Sequence, residues 1–177
     1  MADSHFLGLA GQLHFLSDIA ELGYNIAVPS PDEGDDVVTS CPLTQVIQRV
    51  QVKTSRELRR KDSFSYQFNL SDKLLKQAGT PARIFVFSMR RGLLFHPLVF
   101  PYCDLDGLNQ NFHFGTRGKK SDWVFSVTFS DKDIVTAGAG TKKIYLNEYL
   151  RSYSAWPRRI SNTKSPTSAA TAYVDPW

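Results

Sequence analysis

The chain has 177 residues, of which 42% are hydrophobic, 12% aromatic and 21% charged. That is enough apolar material for one buried core, and the composition excludes a fibrous repeat and a wholly disordered chain. There is no positively charged start followed by an apolar run, and no stretch approaches the roughly 20 apolar residues that cross a bilayer. We therefore expect a globular cytoplasmic protein with reduced Cys41 and Cys103, folded as one domain over residues 1–160 with a flexible tail over 161–177.

The net charge of +4 hides an uneven distribution along the sequence. The first 48 residues contain seven acidic residues and no lysine or arginine, whereas the other 129 hold 21 basic residues against 10 acidic ones. A metal-dependent enzyme acting on a polyanion would need such an arrangement, because carboxylates hold the cation and basic side chains hold phosphates. The alternative is surface charge that varies along a chain without any function.

The pattern of residues 5–22 predicts a mostly buried helix that ends at Gly23 and is followed by a short strand over 24–28. Its apolar residues fall on two neighbouring faces. One face carries Gly8, Gln12, Phe15, Ile19 and Leu22, and the other carries Phe6, Leu9, Leu13, Leu16 and Ala20.

The rest of the chain predicts a mixed α/β domain. Ser71 is a suitable N-cap for a short helix, and the nearly continuous apolar run at 83–89 is typical of a central strand covered on both faces. The predicted elements are a hairpin (35–39 and 46–54), a half-buried strand (63–70), a helix (72–78), the central strand (83–89), two further strands (93–100 and 123–129) and a closing amphipathic helix (143–153).

The second strand of the hairpin has one distinctly polar face. Because side chains alternate along a strand, Gln51 and Lys53 project from the same side. Antiparallel pairing with the preceding strand would place Asp36 beside them, which would bring a carboxylate, an amide oxygen and an ammonium together. Taken alone, the hairpin is more typical of a half-buried strand with one polar face than of a functional site.

Three stretches of the chain, in order, are Gly8-Leu9-Ala10-Gly11-Gln12, Gly34-Asp35-Asp36-Val37-Val38 and Gln51-Val52-Lys53-Thr54. In order, element type and spacing they resemble the PD-(D/E)XK nuclease superfamily. In that family a helix bearing an acid precedes a hairpin whose first strand starts with Asp and whose second strand carries Glu-X-Lys. The resemblance implies a restriction-endonuclease-like core, a mixed β-sheet flanked by helices in the order α-β-β-β-α-β.

The resemblance also implies roles for individual residues. Asp36 would bind Mg²⁺, or Mn²⁺ in its place, together with Gln51 and the backbone carbonyl of Val52. Lys53 would orient or activate the attacking water and stabilise charge on the phosphate. Asp36 is preferred because it directly precedes the apolar strand, and Asp35 is the substitute ligand.

Two positions depart from the family pattern. Gln51 stands where Glu or Asp is usual, and Gln12 stands where the helix often carries Glu. An amide oxygen can ligate a cation but contributes no charge, so we expect weaker metal binding unless Asp32, Glu33 or Asp35 supplies a second carboxylate. For Gln12 the alternative is a polar residue at the exposed edge of a buried helix.

Basic residues crowd the segment around Lys53. Beside a metal site they would grip a nucleic-acid backbone, and the alternative is solvated surface. The six basic residues of this segment are Arg49, Lys53, Arg56, Arg59, Arg60 and Lys61.

These observations favour a metal-dependent nuclease, or a nuclease subunit, that hydrolyses phosphodiester bonds of nucleic acid, with DNA as the expected substrate. The alternative is a catalytically inactive domain of the same fold that serves as a nucleic-acid-binding or protein-interaction module, such as one in a prokaryotic defence system. Proteins of this fold often work as homo-oligomers or in larger complexes, and no membrane partner is expected.

Overall fold

The computed structural model describes residues 4–29, 35–77, 83–118, 122–130, 132, 134–137 and 143–153. No helix in these ranges is long and apolar enough to cross a membrane. The helices are α1 (Ser4–Glu21), α2 (Asp72–Gln77) and α3 (Tyr102–Phe112), with a 3-10 turn at Asn147–Tyr149. The strands are β1 (Asn25–Ala27), β2 (Val37–Ser40), β3 (Ile47–Arg56), β4 (Leu58–Arg59), β5 (Ser63–Ser71), β6 (Arg83–Arg91), β7 (Leu94–Pro101), β8 (Gly115–Arg117), β9 (Asp122–Ser130), β10 (Val135–Ala137) and β11 (Ile144–Tyr145).

The first sheet carries the predicted hairpin and has the strand order β1-β2-β3-β6-β7. Strands β2 and β3 pair antiparallel, with Val37 opposite Val50. Strand β6 pairs parallel with β3, from Arg83 beside Arg49 to Arg90 beside Arg56. The first seven residues of β6 are all buried, as expected for a central strand with neighbours on both edges. The hairpin and the central strand are therefore confirmed.

Helix α1 packs on one face of this sheet, and only a narrow stripe of its residues is buried in the contact. Its buried residues recur at every fourth position: Leu7, Gly11, Phe15 and Ile19. Phe15 and Ile19 pack in one hydrophobic cluster with residues of β2, β3, β6 and β7. The prediction of a mostly buried helix with two apolar faces was wrong, because the helix packs against a single sheet, which buries only the stripe of α1 residues that faces it. Most residues on the other predicted face are exposed, among them Phe6 (63%) and Leu13 (55%), while Leu16 is partly buried against the cluster.

Gly11 sets the distance between α1 and β3. A Cβ atom at this position would lie 2.0 Å from Thr54 Oγ1, whereas a Cβ atom at Gly8, one turn earlier, would meet nothing within 4 Å. The helix therefore approaches β3 closely just beyond Lys53, and only a residue without a side chain allows this approach.

We expect Gly11→Ala to lower the free energy of unfolding by about 1–3 kcal/mol, because the new methyl group overpacks the α1–β3 contact. The control is Gly8→Ala in the same helix, which is expected to be neutral or to stabilise by up to about 1 kcal/mol, since alanine is the better helix former. Urea unfolding of both variants measures the difference. Equal changes in the free energy of unfolding for Gly11→Ala and Gly8→Ala would contradict the close contact between α1 and β3.

A second sheet covers the other face of the first one. Its strand order is β11-β10-β9-β5-β4, and β8 pairs with β9. Between the sheets lies an aromatic core centred on Phe87. Its ring stacks on that of Phe68 with 4.6 Å between the ring centroids, and its centroid lies 5.4 Å from those of Phe100 and Phe125. The mixed α/β class is confirmed, but this face is covered chiefly by strands, with α3 contributing Leu105.

Two segments differ from the sequence-based prediction. Residues 143–153 were predicted as an amphipathic helix, but they form β11 and the 3-10 turn. The Leu146 N–H donates to the Val135 carbonyl at 2.9 Å, and the Val135 N–H donates to Asn147 Oδ1 at 3.0 Å, so pairing with β10 replaces helix formation. Helix α3 was not predicted. The expected tail at 161–177 lies outside the described residues.

Candidate active site

Asp36 lies immediately before β2, and its carboxylate meets the middle of β3. Its backbone N–H donates to the Val50 carbonyl at 2.9 Å. Its Oδ2 atom accepts hydrogen bonds from the Val52 N–H, at 2.7 Å, and from Gln51 Nε2. The hairpin thus joins Asp36 to Gln51 and Val52, as the antiparallel register required.

Gln51 and Lys53 extend from the side of β3 that faces away from α1. Gln51 is only 2% exposed, whereas Lys53 is half-buried. Among the residues that the structure describes, none forms a hydrogen bond or an ion pair with the Lys53 ammonium group. Its ammonium group is therefore available for a ligand next to the pair formed by Asp36 and Gln51.

The backbone carbonyl of Val52 points to the edge of β3 where β2 has ended. In a strand, the N–H and C=O of one residue point to the same edge. The Val52 N–H donates to Asp36 Oδ2, and the last register pair of the two strands joins Val37 to Val50. The Val52 carbonyl therefore emerges beside the Asp36 carboxylate, past the end of the neighbouring strand.

Gln12 connects α1 to the same point. Its Nε2 atom donates to the backbone carbonyl of Asp36 at 2.8 Å, across 24 residues of sequence. This contact holds the main chain that carries the Asp36 carboxylate, while Gln51 and Val52 hold the carboxylate itself.

Asp35 has a different environment from Asp36. It is 6% exposed and pairs with Arg49 of β3 and with Arg83 of β6, whose Nη2 atom lies 2.7 Å from Asp35 Oδ1. Arg83 is itself 1% exposed, whereas the Arg49 side chain is 43% exposed, so a buried Asp35–Arg83 pair is joined by a half-exposed arginine in a cluster that we call the Asp35 triad. A buried charge needs such partners because burial removes its hydration. Both carboxylate oxygens of Asp35 therefore lie against arginines, so the predicted substitute metal ligand Asp35 and the predicted phosphate contact Arg49 pair with each other in this structure.

The oxygen atoms at the hairpin suit a hard divalent cation. They comprise the Asp36 carboxylate, the Gln51 side-chain amide and the Val52 carbonyl, and Mg²⁺ prefers oxygen ligands, keeps several waters and takes one or two carboxylates from a protein. Within the described ranges, no group of three or more His, Cys, Asp or Glu residues could hold a metal ion. Asp32 and Glu33, considered as further carboxylates, lie outside those ranges.

Basic side chains gather where β3 and β6 end side by side. Arg56 and Arg90 are partners in the parallel register, and the Glu57 N–H donates to the Arg90 carbonyl at 3.2 Å. The expected phosphate contacts Arg59, Arg60 and Lys61 follow directly and are exposed. The sequence analysis did not propose Arg90 and Arg91 as phosphate contacts, although two consecutive arginines at the end of an otherwise apolar run indicate where the buried part of the strand ends.

Tyr66 lies between these basic residues and the aromatic core. Burial, reinforced by the charge of Glu57 and partly offset by Arg91, raises the pKa of Tyr66 to about 12. The hydroxyl group therefore stays protonated at neutral pH and cannot serve as a general base.

The fold of this chain is that of a known endonuclease structure. No protein-family model matches the sequence, and the comparison with curated proteins gave no match. The structure of the bacterial homing endonuclease I-Ssp6803I superposes with a TM-score of 0.55 at 16% identity, over 86% of this chain and 90% of that chain. A weaker similarity, with a TM-score of 0.42 at 13% identity, covers 71% of this chain and 84% of Hjc, a Holliday junction resolvase from Archaeoglobus fulgidus. The restriction-endonuclease-like fold expected from the sequence is thereby confirmed.

Proposed function

We propose that this chain is a divalent-metal-dependent nuclease that hydrolyses phosphodiester bonds in DNA. The observation that supports this most directly is the meeting of Asp36, Gln51 and the Val52 main chain at the open edge of β3, directly followed by Lys53. The fold shared with a homing endonuclease agrees with the proposal.

In this proposal Asp36, Gln51 and the Val52 carbonyl hold Mg²⁺, with Mn²⁺ as a substitute. The cation supplies Lewis-acid activation of a water molecule and stabilisation of charge on the phosphate. Lys53 contacts the phosphate and the attacking water as a point charge. Gln12 acts as a positioning residue, because it holds the backbone carbonyl of Asp36.

Arginines at the ends of β3 and β6 bind the DNA backbone in this proposal. Arg56 and Arg90 lie at the carboxyl end of the strand that carries Lys53 and of its parallel neighbour, so a bound duplex could contact them and the metal site together. Such contacts are independent of sequence and weaken with salt.

A catalytically inactive DNA-binding module is the second candidate, and one observation favours it. The Asp36 carboxylate accepts two hydrogen bonds from protein donors, one of them from an amide where the family pattern has a carboxylate. Such donors meet the hydrogen-bonding requirement of the carboxylate, so no bound cation is needed to compensate its charge.

Incubation of the purified chain with linear, supercoiled and single-stranded DNA and with RNA, in Mg²⁺ or Mn²⁺, separates the two candidates. We expect cleavage of DNA that EDTA abolishes and that Asp36→Ala and Lys53→Ala both lose. DNA binding without cleavage in either metal would instead support the inactive module.

A further inference from the structure

The second sheet has an outer face that carries exposed amide and hydroxyl side chains. Along β5 the inward residues Tyr66, Phe68 and Leu70 are buried in the aromatic core, and the residues between them point outward. Most of the outward residues in the middle of β5 and β9 are polar and uncharged, although Val124 lies opposite Asn69. We call the polar ones the amide-hydroxyl face: Ser65, Gln67 and Asn69 of β5 with Ser126 and Thr128 of β9.

The amide-hydroxyl face is a continuous two-strand surface. Ser65 is the register partner of Thr128, and Gln67 is the partner of Ser126. Gln67, Asn69 and Ser126 are exposed. Among the described residues, none forms a hydrogen bond with the Gln67 or Asn69 side-chain amide, so both present donors and acceptors outward.

A groove joins this face to the basic residues. It has a volume of about 570 Å³, and its lining includes Arg56, Arg60, Gln67 and Ser126 together with the exposed apolar side chain of Leu58. The face also borders the catalytic strand, because the Gln67 N–H donates to Oγ of Ser55 at 3.1 Å and Ser55 lies on the same side of β3 as Lys53. Cations, neutral hydrogen-bonding groups and the candidate site therefore follow one another along the surface.

We infer that the amide-hydroxyl face reads base edges in the major groove of double-stranded DNA while Arg56 and Arg60 hold the adjacent phosphates. This inference rests on the proposed function. The major groove is about 12 Å wide, and β5 and β9 are adjacent strands about 5 Å apart, so outward side chains of both strands fit within that width. Asn and Gln pair with adenine through two hydrogen bonds, and Ser and Thr hydrogen-bond to several base edges.

The dimensions of the strand agree with this geometry. Alternate residues of a strand are about 7 Å apart, so Ser65, Gln67 and Asn69 extend over about 13 Å. Base pairs rise by about 3.4 Å, so the three side chains would cover about four base-pair steps. Gln67 and Asn69 are accordingly the specificity-determining residues.

Enrichment from a pool of random-sequence duplex DNA tests the inference. The full-length protein is incubated with the pool in EDTA, and bound DNA is recovered and sequenced, so the readout is binding and not cleavage. We expect an enriched sequence motif with adenine at one or two positions. Gln67→Ala and Asn69→Ala should each lose about a five- to hundred-fold preference at one of these positions while keeping the rest of the motif.

Two controls separate base reading from general binding. Asn111→Ala removes an exposed amide from α3 and should leave the motif intact. Arg60→Ala should weaken binding to all sequences alike. It should also reduce the slope of the logarithm of the binding constant against the logarithm of salt concentration by about 1, the loss of one phosphate contact. A motif unchanged in Gln67→Ala and Asn69→Ala, binding without any motif, or no binding to the pool would each overturn the inference. The DNA cleavage assay described above decides the nuclease proposal separately, since it needs no sequence preference.

Discussion

Replacement of Lys53 by methionine is expected to lower the rate of DNA cleavage by about 10²–10³-fold, with DNA binding changed much less. Methionine keeps an unbranched apolar stem in the half-buried position and removes the ammonium group. The loss follows because a charge placed against the phosphate stabilises the transition state most where water is excluded, and Lys53 has no competing partner among the described residues.

Single-turnover cleavage of supercoiled DNA at saturating Mg²⁺ measures this loss. The matched control is Lys132→Met, which removes the same charge from an exposed turn after β9 and should retain the full rate. Asp36→Asn should show a comparable loss, because it removes the only charged ligand of the proposed set. A Lys53→Met variant that cleaves within about threefold of the unaltered chain would exclude the catalytic role of Lys53, since that residual difference corresponds to less than 1 kcal/mol.

Gln51→Glu is expected to make both stability and cleavage depend more strongly on the metal. In the unaltered chain Gln51 Nε2 donates to the Asp36 carboxylate, and Gln51 is only 2% exposed. A carboxylate at this position would face a second carboxylate, so in EDTA the variant should have a lower Tm, and one of the two acidic groups should have a raised pKa. A divalent cation between them would reverse the effect, because ligand binding to the folded state alone raises its stability.

Thermal unfolding with and without Mg²⁺, together with cleavage rates across a Mg²⁺ titration, measures this change. We expect a metal-dependent rise in Tm that exceeds that of the unaltered chain and half-maximal cleavage at roughly tenfold lower Mg²⁺, since one additional anionic ligand tunes affinity by such factors. Gln45→Glu, an exposed substitution in the turn before β3, should show neither effect. If the Tm of Gln51→Glu did not respond to Mg²⁺, then Gln51 would not lie at a cation site.

Local patterns in the sequence were sufficient to predict the hairpin and to predict that Asp36, Gln51 and Lys53 lie close together within it. The alternation along β3 placed Gln51 and Lys53 on one side, and the short turn before it placed Asp36 opposite. The Ser71 cap was likewise a local prediction, and its Oγ accepts the Leu74 N–H at 3.3 Å. These contacts span few residues and follow from strand geometry and turn length alone.

The sequence by itself thus determined the order of the core elements, the pairing of β2 with β3 and the residues that meet at Asp36. Only the tertiary structure decided which of the two adjacent acids pairs with Arg49 and Arg83: the parallel pairing of β3 with β6 brings the two arginines side by side, and both bind Asp35. It also decided which stripe of α1 is buried, and that residues 143–153 form β11, which pairs with β10, and a 3-10 turn instead of a helix. The physical reason is that periodicity specifies which side chains share a face, whereas the partner that covers the face is chosen by contacts between segments far apart in the chain.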